Sequence, residues 1–248
     1  MASNGRAGGR PTVDPVEQGQ NAGNVSRRAM LERSVAAALA TTLGLGSWTE
    51  RLSSTAVKTD LSPDDALKRL MDGNARYAAG KLTSFQEDLQ LLKQQTAEKQ
   101  EPFAAVLSCA DSRVPVEIAF DQTIGHVFVT RVAGNIVTPE IIGSLEYGVA
   151  VLGTRILMVL GHGSCGAVSA AIAAKDVPGQ ISALYQHIRP AVDQAGSDLN
   201  AAIRANARIH ARLLQEASPV IARAVKQGGL KVVAAYYELA TGVVTLLG

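Results

Sequence analysis

The apolar positions of this chain fall into short continuous runs separated by segments with helical spacing. Four such runs cover residues 103–108, 126–132, 155–161 and 230–238. Short uninterrupted apolar runs indicate strands that are buried on both faces of a parallel sheet. At the end of the chain, "ATGVVTLLG" predicts a turn and an antiparallel edge strand.

Between these runs, the apolar residues recur with a spacing typical of helices. Helices are predicted near residues 138–151, 165–174, 180–195 and 198–226, and the last is broken at Pro219 because proline cannot continue a helix. Strands that alternate with helices in this way predict an α/β fold. We therefore expect a mostly parallel sheet of about four strands plus the edge strand, with helices on both faces.

Two more helices are predicted before the first strand. The segment 61–82 begins with Ser62 as a helix cap and Pro63 at the first helical position. The segment 84–100 is a second, shorter helix candidate. Both carry many charges, so they are expected to lie over a surface.

The N-terminal part of the chain differs in kind. Residues 1–25 are rich in Gly, Asn, Pro and Gln and show no apolar period, so disorder is predicted there. Arg27 and Arg28 then precede an uncharged run, Ser34–Thr49, of 16 residues, short of the roughly 20 that span a bilayer. A charged start followed by an apolar core indicates an export signal. An amphipathic helix packed on the protein or on a partner is the alternative.

The paired arginines of "SRRAML" resemble the twin-arginine signal, which addresses a protein to the export machinery and the periplasm. Ser54 and Ala56 provide a small-x-small cleavage site. We expect residues 1–56 to form a disordered N-terminus with the signal segment, and residues 57–248 to form one catalytic domain. No stable membrane span is expected. The net charge is only +2, which gives no indication of nucleic-acid binding.

Residues able to bind a metal follow two of the predicted strands. The first strand runs into "CADSR" and the third into "GHGSC", and these hold Cys109, His162 and Cys165. If the two strands are neighbours, their carboxyl ends bring the three side chains together. Three ligands of this kind leave one of zinc's four tetrahedral positions free, the pattern of a catalytic site. From the cysteine count alone, a disulfide between the two cysteines is the rival interpretation.

The glycines of "LGHGSCGAV" also fit G-x-G-x-x-G, the fingerprint of a dinucleotide-binding loop. That fold requires an acidic residue about 20 positions later, and the stretch 179–187 has none. The metal interpretation is therefore favoured, with the glycines letting the backbone turn tightly around the ion. The remaining histidines lack a neighbouring cysteine, and we expect them to be structural: His126, His187 and His210.

Four stretches of this sequence resemble the β-class carbonic anhydrases. They are "SCADSRVPVEIAFDQ", "VFVTRVAGNIV", "GSLEYGVAVLG" and "LGHGSCGAV". The combination of C-x-D-x-R with H-x-x-C some fifty residues later is specific to that family. The resemblance extends from about residue 60 to the C-terminus.

The resemblance implies one Zn²⁺ per subunit, bound by Cys109, His162 and Cys165. It also implies that Asp111 and Arg113 form a catalytic dyad beside the metal. In an open state Arg113 holds Asp111 away from zinc, whereas in a closed state Asp111 itself binds zinc. A surface ion pair is the alternative interpretation of this dyad.

Three further residues match the family's substrate-binding positions. Gln100 corresponds to a substrate-binding glutamine, and Phe128 and Tyr147 correspond to the lining of an apolar CO₂ pocket, formed partly across a dimer interface. Val106 occupies the place of a tryptophan that contributes to bicarbonate inhibition in some bacterial members. That mode of control is therefore not expected here.

The implied activity is the reversible hydration of CO₂ to bicarbonate and a proton by zinc-bound hydroxide. Two thiolate ligands donate more charge than imidazoles do, so activity is expected to rise toward alkaline pH. The implied assembly is a homodimer or a dimer of dimers, in which the N-terminal helices embrace the partner. Two alternatives remain: a hydrolase of COS or CS₂ on the same site, and a non-catalytic zinc-binding protein.

Overall fold

A computed structural model describes residues 59–86 and 89–248 of the chain. The predictions for residues 1–56, including the twin-arginine-like segment, lie outside the described residues. Among the described residues, no helix combines the length and the apolar character needed to cross a membrane.

The predicted sheet is confirmed, with five strands in the order β2-β1-β3-β4-β5. The first four strands along the chain are parallel to one another. The edge strand β5 pairs with β4 in the antiparallel direction. The strands are β1 (Ala104–Ser108), β2 (Val127–Arg131), β3 (Ile156–His162), β4 (Lys231–Tyr237) and β5 (Val244–Leu247). Every residue of β1 and β3 is buried, as the continuous apolar runs predicted.

The helices follow the predicted order. They are α1 (Pro63–Ala78), α2 (Leu89–Thr96), α3 (Val116–Ala119), α4 (Pro139–Glu146), α5 (Gly166–Ala173), α6 (Tyr185–Ala195), α7 (Leu199–Ala217) and α8 (Pro219–Lys226). The predicted break at Pro219 is confirmed: Ser218 caps the new helix and its Oγ accepts a hydrogen bond from the Ile221 N–H at 3.1 Å. The short helix α3 was not predicted.

The two faces of the sheet are covered by different parts of the chain. On one face, Ala66 and Leu70 of α1 and Val116 of α3 pack against Val106 and Met158. On the other face, α7 and α8 pack against the alternate strand residues through Ala207, Ala211, Leu214 and Ile221. Helix α1 is therefore part of the chain's own core. The expectation that both N-terminal helices embrace a partner did not include this packing.

Helix α2 is packed quite differently. None of its residues is buried, and Leu89 is 54% exposed. The predicted helix 84–100 is described as a helix only at Leu89–Thr96, after a 3₁₀ turn at Ser84–Gln86. The four residues that follow α2 up to Gln100 lie outside any helix and lead toward β1.

Candidate metal centre

The parallel pairing of β1 with β3 brings the predicted metal ligands together. Ser108 lies opposite Leu160, so Cys109 follows β1 at nearly the level where His162 ends β3. Cys165 lies three residues later, at the cap position of α5. The two sulfurs and an imidazole nitrogen lie within 4.8 Å of one another, and all three residues are buried.

The imidazole of His162 is oriented for metal binding. Its Nδ1 lies 2.9 Å from the Gly163 carbonyl oxygen, so Nδ1–H donates there and the free lone pair is on Nε2. That Nε2 atom is fully buried and has no hydrogen-bond partner among the described residues. A buried polar atom without a partner is costly, and a bound cation removes that cost.

The two cysteines are free thiols, so the disulfide interpretation is wrong for this structure. The hydrogen bond from Cys165 lowers the pKa of Cys109 to about 4, and the hydrogen bond from the Gly134 N–H acts in the same direction. The neighbouring Cys109 sulfur and burial raise the pKa of Cys165. The pair therefore holds one negative charge readily. Two sulfurs and an imidazole form a donor set that fits zinc.

Asp111 and Arg113 form a bidentate pair beside these ligands. The Arg113 Nε donates to Asp111 Oδ1 at 2.9 Å and its Nη2 donates to Oδ2 at 2.7 Å. These hydrogen bonds hold the pKa of Asp111 well below its usual range. Asp111 Oδ2 lies 3.9 Å from His162 Nε2. Arg113 thus engages both carboxylate oxygens of Asp111 in this structure.

Three hydrogen bonds from two arginines hold the loop that carries this pair, and the sequence did not predict any of them. The Arg131 Nε donates to the Cys109 carbonyl at 3.0 Å, and its Nη2 donates to the Asp111 carbonyl. Arg113 Nη2 lies 3.3 Å from the Ser164 carbonyl, which joins the two ligand loops. Arg131 ends β2, next to β1, so the strand pairing itself places its guanidinium there.

Gly161 and Gly163 of the ligand loop allow neighbouring side chains to pack closely against the backbone. A Cβ atom on Gly161 would lie 3.1 Å from the Ile203 side chain of α7, and one on Gly163 would lie 3.0 Å from the Tyr236 hydroxyl. The positive φ in this loop falls on Ser164, at 54°. The prediction that glycines allow the turn is thus corrected, because the left-handed position is a serine.

Two buried polar residues of α7 contact the loop that follows β2, and no sequence pattern predicted these contacts. Asn206 Nδ2 donates to the Gly134 carbonyl at 2.8 Å. His210 Nδ1 accepts a hydrogen bond from the Val137 N–H at 3.2 Å, and burial lowers its pKa to about 4. His210 is thus a neutral structural histidine, as expected.

The predicted substrate-binding residues are not members of this donor group. Phe128 pairs with Ala105, four residues before Cys109, which is about 13 Å along the strand. Its ring lies 6.3 Å from that of Tyr147, which is 47% exposed. Gln100 is exposed before β1. Their roles toward substrate stay predictions.

Comparisons with known proteins point to one family. A sequence model of the family described as carbonic anhydrase matches residues 104–244. A carbonic anhydrase of Mycolicibacterium smegmatis is 37% identical over 193 residues, which cover 75% of this chain and 93% of that protein.

Solved structures share the fold at lower identity. A β-carbonic anhydrase of Aspergillus fumigatus is 23% identical with a TM-score of 0.61, covering 73% of this chain and 90% of that one. One of two tetrameric β-carbonic anhydrases of Sordaria macrospora is 23% identical with a TM-score of 0.59, covering 74% and 98%.

Proposed function

The chain belongs to the β-class carbonic anhydrase family, and we propose that it catalyses the zinc-dependent, reversible hydration of CO₂ to bicarbonate and a proton. One observation carries the proposal: Cys109, His162 and Cys165 form a buried donor group directly beside the Asp111–Arg113 pair. The family assignment and the geometry of this donor group together support the proposal.

We propose that Cys109 Sγ, His162 Nε2 and Cys165 Sγ hold one Zn²⁺ per subunit. Three protein donors leave one tetrahedral position for a small reactant. Zinc bound there supplies a Lewis acid that lowers the pKa of a coordinated water molecule toward about 7. The chain contributes by fixing the donors, since His162 is oriented through Gly163 and Cys109 through the Gly134 N–H.

Asp111 supplies the hydrogen-bond acceptor beside the reacting water. Its depressed pKa keeps the carboxylate charged across the neutral range, and the bidentate contact with Arg113 fixes its orientation. A fixed acceptor can take the hydrogen of the nucleophile and direct its lone pair toward carbon. The contact between Arg113 and the Ser164 carbonyl fixes the position of this pair relative to the loop that carries Cys165.

The deciding experiment is stopped-flow CO₂ hydration by the purified, zinc-loaded protein at pH 7 and near pH 8.5. We expect fast turnover at both values, higher at pH 8.5 because two thiolates make the bound water less acidic. Turnover confined to the higher pH would contradict the open arrangement of Asp111. Absence of turnover at both, with zinc bound and with turnover of COS, would overturn the proposed substrate.

We also propose that the protein works as a homodimer or a dimer of dimers. Helix α2 presents Leu89 to solvent, and Ile124 lies exposed across an apolar groove of about 530 Å³ that both residues line. A second copy covering this groove would remove that apolar surface from water. Gln100 and Tyr147 are exposed and so remain available to a partner's CO₂ pocket.

Export by the twin-arginine route is a separate proposal, supported by Arg27 and Arg28 before the uncharged run. Changing both to lysine in the full chain should abolish accumulation outside the cytoplasm, measured by cell fractionation. Arg33→Lys is the matched control and should leave export unchanged. Equal accumulation of the double variant would contradict the proposal.

A further inference from the structure

A buried amide on α7 is linked to the Cys109 sulfur through a single residue, Gly134. Asn206 is 1% exposed, and its Nδ2 donates to the Gly134 carbonyl at 2.8 Å. The N–H of the same residue, Gly134, donates to Cys109 Sγ at 3.3 Å. The side chain of Asn206 thus holds the residue that hydrogen-bonds a metal ligand.

The backbone conformation of Gly134 is one that few other residues could adopt at this place. Its φ is +77°, a conformation that L side chains rarely adopt. A Cβ atom there would lie 2.9 Å from Ile188 and 3.3 Å from Ala167. The flanking contacts are also fixed, since the Asn135 N–H donates to the Val132 carbonyl at 2.9 Å.

The second end of this loop is held from the same helix. His210 lies four residues after Asn206, on the same face of α7, and accepts the Val137 N–H. The loop Val132–Val137 is therefore attached to α7 at two points, and only the Asn206 attachment falls on the residue that contacts sulfur. Asn206 is therefore the residue of α7 that fixes the orientation of the Gly134 N–H.

We propose that Asn206 is a positioning residue for the Cys109 thiolate. By fixing Gly134, it maintains an N–H···S hydrogen bond that draws electron density from the sulfur and orients its lone pairs toward the metal. This inference rests on the zinc site proposed above. Groups that orient the ligands of a metal site commonly account for 10–100-fold in metal affinity or activity.

A purely space-filling role does not explain an amide at this position. Asn206 Oδ1 is buried and has no hydrogen-bond partner among the described residues. An unsatisfied buried oxygen is unfavourable, and an apolar side chain would avoid it. The hydrogen bond from Nδ2 to Gly134 is the interaction for which the amide is required.

The test compares Asn206→Ala with Asn74→Ala, a second buried amide that lies elsewhere. Asn74 donates to the Ala119 and Gly242 carbonyls at 2.9 and 2.8 Å and accepts from the Val244 N–H at 2.8 Å. Both variants are made in the full chain, stripped of metal and titrated with Zn²⁺ and with Co²⁺. The measurements are zinc affinity by chelator competition and the near-ultraviolet sulfur-to-cobalt charge-transfer band.

For Asn206→Ala we expect zinc affinity to fall at least about 10-fold and the charge-transfer band to shift. For Asn74→Ala we expect a lower melting temperature but unchanged zinc affinity and an unchanged band. Asn206→Asp keeps the side-chain volume, replaces the donor and should behave like Asn206→Ala, which keeps the test available if the alanine variant does not fold.

Two results would overturn the inference. One is an unchanged band and affinity in Asn206→Ala or Asn206→Asp while the unmodified protein binds cobalt. The other is an equal loss in Asn74→Ala, which would make the effect one of general stability. If the unmodified protein binds neither metal, the proposed zinc site fails first, and this inference fails with it.

Discussion

The metal centre and the flank formed by α2 with Ile124, here called the α2 flank, are built in opposite ways. At the metal centre the three candidate ligands are buried, and two of them, Cys109 and His162, are oriented by backbone groups of the same chain. On the α2 flank, no residue of Leu89–Thr96 is buried, and large apolar side chains face solvent. The group of candidate ligands is assembled within a single chain, whereas the α2 flank leaves apolar surface uncovered.

The difference shows which property each region determines. An eight-residue helix with no buried residue gains little stability from its own chain, because short isolated helices are marginal in water. A second copy would provide the missing cover. We therefore expect changes at the metal centre to remove zinc and activity while leaving assembly, and changes on the α2 flank to weaken assembly while leaving zinc binding unchanged.

The strongest test of this separation removes a metal ligand. Cys109→Ser and Cys165→Ala should each reduce zinc from about one per chain to near zero and lower CO₂ hydration by about a thousandfold or more, because the activating metal is lost. Sedimentation should still show the native assembly. Zinc content is measured by atomic emission after gel filtration.

His126→Ala is the control for these variants, because this histidine lies outside the donor group. It should retain both zinc and activity. Retained zinc in either cysteine variant would contradict the ligand assignment.

A smaller effect is expected from the acceptor beside the metal. Asp111→Asn should lower turnover about 100-fold with zinc retained, because an amide cannot replace the charged acceptor that Arg113 orients. Asp72→Asn, which removes an exposed pair with Lys68, should leave turnover unchanged. Loss of zinc from Asp111→Asn would instead indicate that Asp111 is a fourth ligand.

The corresponding test of the α2 flank introduces a charge on its apolar surface. Leu89→Asp should raise the dimer dissociation constant at least about 10-fold, because a carboxylate replaces an exposed leucine that a partner would bury. The substitution suits the helix itself, since an acidic residue is favourable in the first turn. Sedimentation velocity over a concentration series measures the change.

Gln94→Glu, on the same helix, is the matched control and should leave the dissociation constant unchanged. An unchanged constant for Leu89→Asp would show that the α2 flank is not an interface.

The last effect concerns stability alone, at the buried carboxylate that anchors the segment before α2. Asp121 accepts hydrogen bonds from the Thr83 and Ser84 N–H groups at 2.9 Å and pairs with Arg76. These interactions hold the pKa of Asp121 well below its usual range despite burial. A depressed folded-state pKa contributes stability above the unfolded pKa, near 3.9, and that contribution is lost as the pH falls below it.

Asp121→Asn should therefore lower the free energy of unfolding by about 1–3 kcal/mol at pH 7 and by less at pH 3. Urea unfolding at both pH values measures this. Zinc affinity should not change. A loss that is equal or larger at pH 3 would contradict the assigned role of the Asp121 charge.

Much of the fold follows from the sequence because burial on both faces requires uninterrupted apolar strands. The runs around Val106 and Met158 therefore predicted β1 and β3 within a residue or two. The grouping of Cys109, His162 and Cys165 was predictable as well, since these residues directly follow or end those strands.

The residues that orient the site were not predictable, because they reach it from other elements. Asn206 and Arg131 look like ordinary residues of a helix and a strand, and only the tertiary structure brings them against Gly134 and the Cys109 carbonyl. The same holds for Ser164, whose left-handed backbone has no local sequence signal. The division between the core helix α1 and the exposed α2 also depends on tertiary packing.

The order of the strands has one further consequence. After β1 the chain moves outward to β2, and after β3 it moves the other way, to β4. The segments leaving these two adjacent strands therefore diverge, and a crevice opens between them at the topological switch point of the sheet. Cys109 on one side and His162 on the other occupy its two walls. The winding of the chain thus creates the opening for a reactant, and no strand has to bend to make room for it.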